Sequence, residues 1–524
     1  MPTHYKTAVA IIGAGPAGLT LAHLLGSLGV DTLVLEKLPN TMEEPRAIGI
    51  DSETLRTLQS ADILDAVREE IFSGIESSDY LNADGKLLFS LNTLNQTPYG
   101  HPLFNTFDQP AFDRILANTI AKRPTVDIHF QHEMLNFTQD ANGVFIEAVD
   151  ANGEGVSIDT QFLVGCDGGR SKVRDLLGIQ MTGDSNEYPW LVIDTIDPQF
   201  DDGPGSRFFC DPARPGMTIK RGANQRRWEW MLMPGEQPEQ LLKTETINEL
   251  LAPHTDPAQV DIFRRRVYNF AAIIAERWQQ GRAFLAGDAA HMTPPFAGQG
   301  LNSGMRDVRN LSWKLAMVVN KQAAPTLLES YQQERWQHAQ ELIQFALSLG
   351  EQIQPIDPQK AAERDAFFFA MQQDPAAMDN FSQDMAQSVL VRAIDKGVVA
   401  NQQDNAINGQ MLPQPQIKTE SGETCLLDEK LGKGFSILGY NCDPKTLLTE
   451  SQLQDWQALG TTLISVGDTN CDYQECGAQR LKALFTDNNC NMILVRPDKF
   501  ILVALNQDTA DMALQQARQL LQLI

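Results

Sequence analysis

The stretch from Ala8 to Glu36 constrains the fold most. Ala8-Val9-Ala10-Ile11-Ile12 is an apolar run of strand length, and Gly13-Ala14-Gly15-Pro16-Ala17-Gly18 follows at once. Leu19 to Leu28 has the spacing of a helix with an apolar face, and Gly29 is placed to end it. Val30 to Leu35 is a second apolar strand, closed by Glu36. A G-x-G-x-x-G turn between a strand and a helix is a dinucleotide fingerprint. Gly13 makes the tight turn, Gly15 lets the backbone approach a pyrophosphate, and Gly18 lets the helix pack on the strand. The helix N-terminus offers free N–H groups and a positive dipole to phosphates. Glu36, about 20 residues on, is placed to accept hydrogen bonds from a ribose. It would repel a 2′-phosphate, so this unit predicts FAD or NAD rather than NADP.

Two more glycine loops follow the same plan. Phe162-Leu163-Val164-Gly165 ends a strand at Cys166-Asp167-Gly168-Gly169-Arg170-Ser171, and a helix opens at Lys172. That loop suits the phosphates or ribose of a dinucleotide. Arg282 to Ala286 is a buried strand ending at Gly287-Asp288-Ala289-Ala290-His291. The connection Thr293 to Gly304 then holds two prolines and three glycines and leads into a helix reaching about Asn320. Asp288, at a strand end, is placed to hold a ribityl or ribose hydroxyl. The N–H groups of Leu301 and Asn302, at a helix N-terminus, suit negative charge on a ring. His291 reads as a packing or hydrogen-bonding residue rather than a base.

Between these loops the pattern is mixed. Arg46 precedes a helix at Asp51–Arg68 and, taken alone, reads as a surface arginine. Tyr80–Thr93 reads as a hairpin, and Gln109 and Pro110 precede a helix at Ala111–Lys122. Asp127–Phe137, Val144–Val149 and Gly155–Leu163 read as three strands of an antiparallel insertion. Tyr188–Pro234 is rich in aromatics and β-formers and reads as a sheet covering a ligand. Trp190, Trp228 and Trp230, taken singly, read as core. Arg264-Arg265-Arg266 and Lys220-Arg221 read as solvated faces that could supply a local basic patch. Pro325–Leu349 is a helix with Gly350 placed to end it, and Gln352–Gln410 is polar and partly helical. Met411–Pro415 reads as an extended linker. After it a strand–helix–strand–strand–strand–helix order to Leu523 suggests a small thioredoxin-like unit without C-x-x-C.

Bulk properties exclude several classes. The formal net charge of -25 argues against a nucleic-acid or anionic-membrane partner. Seven Cys in 524 residues, without C-x-x-C, argue against a disulfide framework or a zinc site. The first strand begins within ten residues of Met1 and no apolar run reaches membrane-span length, so the expected location is the cytoplasm.

Taken together, the three loops resemble those of the FAD-dependent aromatic hydroxylases, the class A flavoprotein monooxygenases of p-hydroxybenzoate hydroxylase fold. The resemblance runs over essentially the whole chain. Pro45-Arg46-Ala47-Ile48-Gly49-Ile50-Asp51, Arg226-Arg227-Trp228-Glu229-Trp230-Met231-Leu232, Pro294-Pro295-Phe296-Ala297-Gly298-Gln299-Gly300 and Leu494-Val495-Arg496-Pro497-Asp498 are similar to the 3-(3-hydroxyphenyl)propionate hydroxylase branch. Trp230 stands where that branch is expected to carry Phe, which implies an altered aromatic pocket.

The fold implied is α/β: a Rossmann-type FAD-binding domain, an inserted antiparallel-sheet substrate domain and a C-terminal thioredoxin-like domain. The expected division is 1–187 and 276–350 for FAD, 188–275 for substrate, 351–415 for a helical region and linker, and 416–524 for the tail. By the resemblance, Gly13, Gly15, Ala17, Gly18, Glu36 and Lys37 hold the ADP end of FAD. Arg46, Gln109, Gly287 and Asp288 hold its pyrophosphate and ribityl chain. Gly298, Gly300, Leu301 and Asn302 meet the isoalloxazine, and Asp167 and Arg170 belong to a motif that contacts both FAD and NAD(P)H. Pro294, Pro295 and Gly298 form a wall shielding the flavin.

The implied reaction reduces FAD with transient NADH or NADPH, forms a C4a-hydroperoxide with O2, and hydroxylates a small phenol. No residue is assigned as the base. The alternatives are hydroxylation of a resorcinol-like phenol or a polyketide aromatic, and an FAD-dependent oxidase or dehydrogenase. The role left for the tail is structural, as at a homodimer interface.

Overall fold

The computed structural model describes residues 3–72, 75, 77–92, 99–185, 188–197, 205–222, 224–388, 393–469 and 471–524. Thr93 of the expected hairpin, and parts of the stretches expected as a sheet at 188–234 and as partly helical at 352–410, lie outside them.

Strand Thr3–Ile12 is the centre of the first sheet, and Val9, Ala10 and Ile11 are wholly buried. It pairs in parallel with Thr32–Glu36 on one side and Gly155–Gly165 on the other. Val126–Phe130 extends the sheet beyond Thr32–Glu36, and Ala283–Leu285 extends it beyond Gly155–Gly165. All three glycine loops therefore leave adjacent parallel strands at their C-terminal ends, where open α/β sheets bind ligands. The stretch expected as one strand at Asp127–Phe137 is two. The chain turns at Gln131, whose φ is 56°, so Val126–Phe130 joins the parallel sheet and Glu133–Gln139 pairs antiparallel with Val144–Val149. The helix expected over Asp51–Arg68 is likewise broken. Asp51 caps Ser52–Ser60 through the Thr54 amide at 2.8 Å, and Asp62, at φ 53°, separates it from Leu64–Val67.

The second sheet has seven strands in the order Asp261–Tyr268, Trp190–Ile196, Gln225–Met231, Gly216–Lys220, Ser206–Cys210, Ser77–Asn82 and Leu87–Asn92. The early hairpin thus joins the later sheet, through parallel pairing of Ser206–Cys210 with Ser77–Asn82. Trp228 and Trp230 face away from the first sheet and stack on each other, centroids 5.8 Å apart, in a cluster with Leu191, Ile193, Ile247 and Leu251. Trp230 is core there, so it does not alter an aromatic pocket. The arginine runs are also not simply solvated. Arg264 pairs with buried Asp194 at 2.6 Å, and Arg221 is buried 3.2 Å from Asp108. Arg266 is exposed and pairs with Glu44.

Helix Gly300–Val319 is almost wholly buried, and helix Ser330–Ile353 packs beside it. The latter runs through Gly350 instead of stopping there. A Cβ at Gly350 would meet the Phe296 ring at 3.0 Å, so the glycine serves close packing rather than termination.

The tail sheet has the order Thr462–Val466, Ser436–Tyr440, Met492–Val495 and Ile501–Leu505. Its first pair is parallel and the others antiparallel. Helix Arg480–Asp487, which the sequence reading lacks, lies between the second and third of its strands in the chain. The connection Met411–Pro415 is extended but pinned to the body of the protein. Leu412 is buried and its carbonyl accepts from Arg56 at 2.7 Å, while Gln414 donates to the Tyr99 carbonyl. All seven cysteines are free thiols. Among the described residues, no helix is long and apolar enough to cross a membrane.

Candidate active site

A cavity of about 480 Å³ lies between the ends of the parallel strands and the inner face of the seven-stranded sheet. One end is walled by Gly15, Pro16, Ala17, Arg46, Gly287 and Asp288. The middle is walled by Ala47–Gly49 and by Pro295–Leu301. The far end is apolar and aromatic: Tyr80, Phe208, Met217, Phe104, Phe296 and Leu349.

The three fingerprint glycines do different work. A Cβ at Gly13 would lie 2.4 Å from the Cys166 carbonyl oxygen, and its φ of 106° also excludes other side chains. A Cβ at Gly18 would lie 2.0 Å from the Gly13 oxygen. Nothing stands within 4 Å of a Cβ at Gly15, which faces the cavity. Glu36 accepts from the amides of Ala14 at 2.8 Å and Leu38 at 2.9 Å, so it braces the turn beside any ribose role.

Gln109 accepts from the amides of Arg46 and Ala47, both at 2.8 Å, and holds that loop against the cavity. Arg227, from the sheet, donates to the carbonyl of Arg46 at 3.1 Å and clamps the same loop from the other side. The Arg46 guanidinium itself makes no hydrogen bond or ion pair among the described residues. Asp288 is reachable from the cavity yet enclosed by protein. Burial raises its carboxyl above the usual value, with His291 and Arg46 opposing.

Asn302 is completely buried and outside the cavity wall. Its side-chain oxygen accepts from the Asp51 amide at 3.0 Å and from Thr54 at 2.8 Å, and its amide donates to the Gly298 carbonyl at 2.8 Å. It therefore fixes the loop whose members Gly298, Gly300 and Leu301 reach the cavity. Beneath them Arg306 ties Gln299 at 2.8 Å to Asp51 at 2.5 Å and Glu53 at 3.0 Å. Sequence reasoning missed this buried network, whose one signal was a charged residue on the apolar face of a helix.

Other expected residues lie elsewhere. Lys37 and Arg170 are exposed, away from the cavity wall. Asp167 accepts from the amides of Lys172 at 2.7 Å and Val173 at 3.1 Å and so caps a helix. Pro294 is buried behind the wall, which Pro295, Phe296, Ala297 and Gly298 make. His291 is buried, 2.7 Å from Asp307, whose carboxylate also holds the Gly287 amide and Arg335. Its role is structural. A His291→Leu substitution is expected to cost about 1–3 kcal/mol by taking one hydrogen-bond partner from buried Asp307, which keeps the Gly287 amide and Arg335. Thermal unfolding with and without FAD checks this: both midpoints should fall together.

A flavin dinucleotide fits this wall on three observations. Gly15 leaves open space where a pyrophosphate must approach. An unpartnered guanidinium stands beside it. Helices Pro16–Ser27 and Gly300–Val319 both point N-termini without side-chain caps at the cavity.

A family model described as FAD binding domain matches residues 6–346, and one described as HcaD C-terminal domain matches 409–520. The chain belongs to the family of FAD-dependent aromatic hydroxylases, and FAD is its cofactor. Among its relatives is the 3-(3-hydroxyphenyl)propionate/3-hydroxycinnamic acid hydroxylase of Burkholderia cenocepacia, 34% identical over 97% of this chain and 95% of that protein. The enzyme of the same name from Escherichia coli is 34% identical over 95% of this chain and 92% of that protein. The fold is that of the flavin-dependent monooxygenase PieE, with a TM-score of 0.81 at 19% identity over 99% of this chain and all of that one. Aklavinone-11 hydroxylase gives 0.81 at 23% identity over 99% of each chain.

Proposed function

We propose that this chain hydroxylates a small phenolic acid of the 3-(3-hydroxyphenyl)propionate class, using NADH or NADPH and dioxygen. The observation that carries this is the single cavity running from the glycine loops to the aromatic face of the sheet. The shared name of full-length relatives supports the substrate class. FAD held in this site would supply the redox chemistry, with NAD(P)H as reductant and dioxygen as the source of the oxygen added to the ring. The chain's own residues supply the rest. Gly15, Arg46 and the amides opening helix Pro16–Ser27 hold the pyrophosphate. The amides of Gly300 and Leu301 place positive dipole beside the flavin ring, where negative charge collects on reduction. Phe104, Phe208, Phe296 and Leu349 enclose the aromatic substrate and keep water out.

The tail's sheet order and strand directions support a thioredoxin-like fold, and the lack of C-x-x-C supports a structural rather than redox role. The same proposal divides the chain into 1–187 and 276–350 for FAD, 188–275 for substrate, 351–415 for a helical region and linker, and 416–524 for the tail, with strands Ser77–Asn82 and Leu87–Asn92 joining the substrate sheet.

The test is NAD(P)H oxidation by the flavin-loaded protein in air, with and without a panel of phenols, with peroxide and hydroxylated product measured together. The expected result is oxidation stimulated by 3-(3-hydroxyphenyl)propionate with matching product and little peroxide. If only resorcinol or another phenol couples, the substrate class is wrong. If no phenol stimulates oxidation while a substrate bleaches the flavin directly, the hydroxylase reading is wrong.

A further inference from the structure

Strand Gln225–Met231 alternates its side chains between two faces. Trp228 and Trp230 fill the outer core, while Arg227 and Glu229 face the cavity. The two charged residues differ in one respect. Arg227 is neutralised by Asp194 at 2.8 Å. Glu229 is only 5% exposed, and its carboxylate makes no hydrogen bond or ion pair among the described residues. Its cross-strand neighbours are Val192 and Met217, both apolar and both in the cavity wall. A buried carboxylate without a partner is costly unless something enters to meet it.

We infer that Glu229 accepts the phenolic proton of the substrate. This rests on the hydroxylase reading. In the step, the substrate O–H bond breaks and its electron pair stays on the phenolate oxygen. A new O–H bond forms on the Glu229 carboxylate, and the proton later leaves to water when product departs. The phenolate so formed is the electron-rich ring that accepts an electrophilic oxygen. The charged and titratable groups around Glu229 are Arg227 on its own strand, Asp194 on the next, Arg264 and Tyr268 on the edge strand, and Arg46 across the cavity. Burial pushes the Glu229 carboxyl up to about 7, with Arg227 and Arg264 pulling it down and Asp194 pushing it up. A base poised near neutrality suits proton removal from a phenol, whose own value is about 10.

The experiment compares the flavin-loaded wild type with Glu229→Gln in two readouts. The first is the ultraviolet spectrum of bound 3-(3-hydroxyphenyl)propionate between pH 6 and 9 (roughly, the range spanning a base poised near neutrality). Wild type is expected to show a phenolate band well below the phenol's solution pKa, and the variant to bind the phenol without that band. The second is the pH dependence of product formation. The variant is expected to lose the inflection near neutrality, to fall about 100-fold at neutral pH, and to recover with ring-fluorinated phenols that ionise more easily. Neutral phenol bound to the wild type would overturn the inference, as would no phenol binding at all. So would an inflection retained in the variant, or equal losses on fluorinated and parent phenols. A phenolate band in a wild type that forms no hydroxylated product would sink the hydroxylase reading alone and leave Glu229 as the proton acceptor.

Discussion

A Gly18→Ala protein is expected to be colourless and less stable by about 3 kcal/mol or more, whereas Gly15→Ala is expected to fold normally and bind flavin poorly. The added methyl at position 18 would stand 2.0 Å from the backbone oxygen of Gly13 and 3.2 Å from the Cys166 Cβ, and neither is the far end of a flexible side chain that could give way. Relief requires the first helix to move off the first strand, which opens the turn that the dinucleotide needs. Overpacking of this kind costs about 1–3 kcal/mol when neighbours can shift, and more when they cannot. At position 15 the methyl meets nothing within 4 Å. Its penalty falls on the ligand alone, and a tenfold or greater loss of FAD affinity, about 1.4 kcal/mol, is expected. Apoprotein melting together with FAD titration separates the two. Equal melting losses in both variants would mean that the open space at Gly15 is not the phosphate approach.

The second large effect is expected at the seam between the tail and the body. Arg496 donates to Glu334 at 2.8 Å and to Asp498 at 2.6 Å, and all three are fully or almost fully buried. Lys314 approaches Glu334 from the other side at 2.9 Å, and Asp498 accepts from the Trp313 indole at 3.1 Å. An Arg496→Leu substitution leaves two buried carboxylates facing each other, and a loss of about 3–5 kcal/mol is expected. The tail should then unfold in an earlier, separate transition in a denaturant titration. Burial alone would raise the Glu334 carboxyl, but Arg496 and Lys314 hold it down to about 2 against an ordinary 4.5. A depressed carboxylate contributes stability above its unfolded value, and that contribution is lost as pH falls from about 4.5 towards 2. Wild type should lose stability across that window, and the variant should have lost this contribution already at neutral pH. A variant that melts with wild type in one transition would show that the seam does not hold the tail.

Much of this was legible because dinucleotide sites are local. A strand, a glycine turn and a helix are contiguous in sequence, so Gly13, Gly15, Gly18, Asp288 and the loop to Leu301 could be read directly. Non-local pairing was not legible. Nothing near Ser77–Asn82 says that it pairs with Ser206–Cys210, so the sheet gained two strands that the expected division put elsewhere. Period-two alternation in Gln225–Met231 does separate Arg227 and Glu229 from the tryptophans. It does not say which face turns to the flavin, since one face carries tryptophans and the other charges. Asn302 illustrates the remaining limit. Its backbone N–H was marked for the flavin by its place at a helix start, but the work of its side chain, which bonds the Asp51 amide, Thr54 and the Gly298 carbonyl, depends mostly on partners distant in sequence and could not be read. Gly350 reads as a helix stop for the same reason: composition does not distinguish a glycine that ends a helix from one that makes room for a ring.

The most direct test of the central claim, that the cavity joins flavin chemistry to a phenol, is turnover with NAD(P)H and isotope-labelled dioxygen followed by mass spectrometry of the product. The account predicts one labelled oxygen in the hydroxylated 3-(3-hydroxyphenyl)propionate for each NAD(P)H consumed. Oxidised product without label, with the label recovered as peroxide, would contradict it and make the protein an oxidase on a hydroxylase fold.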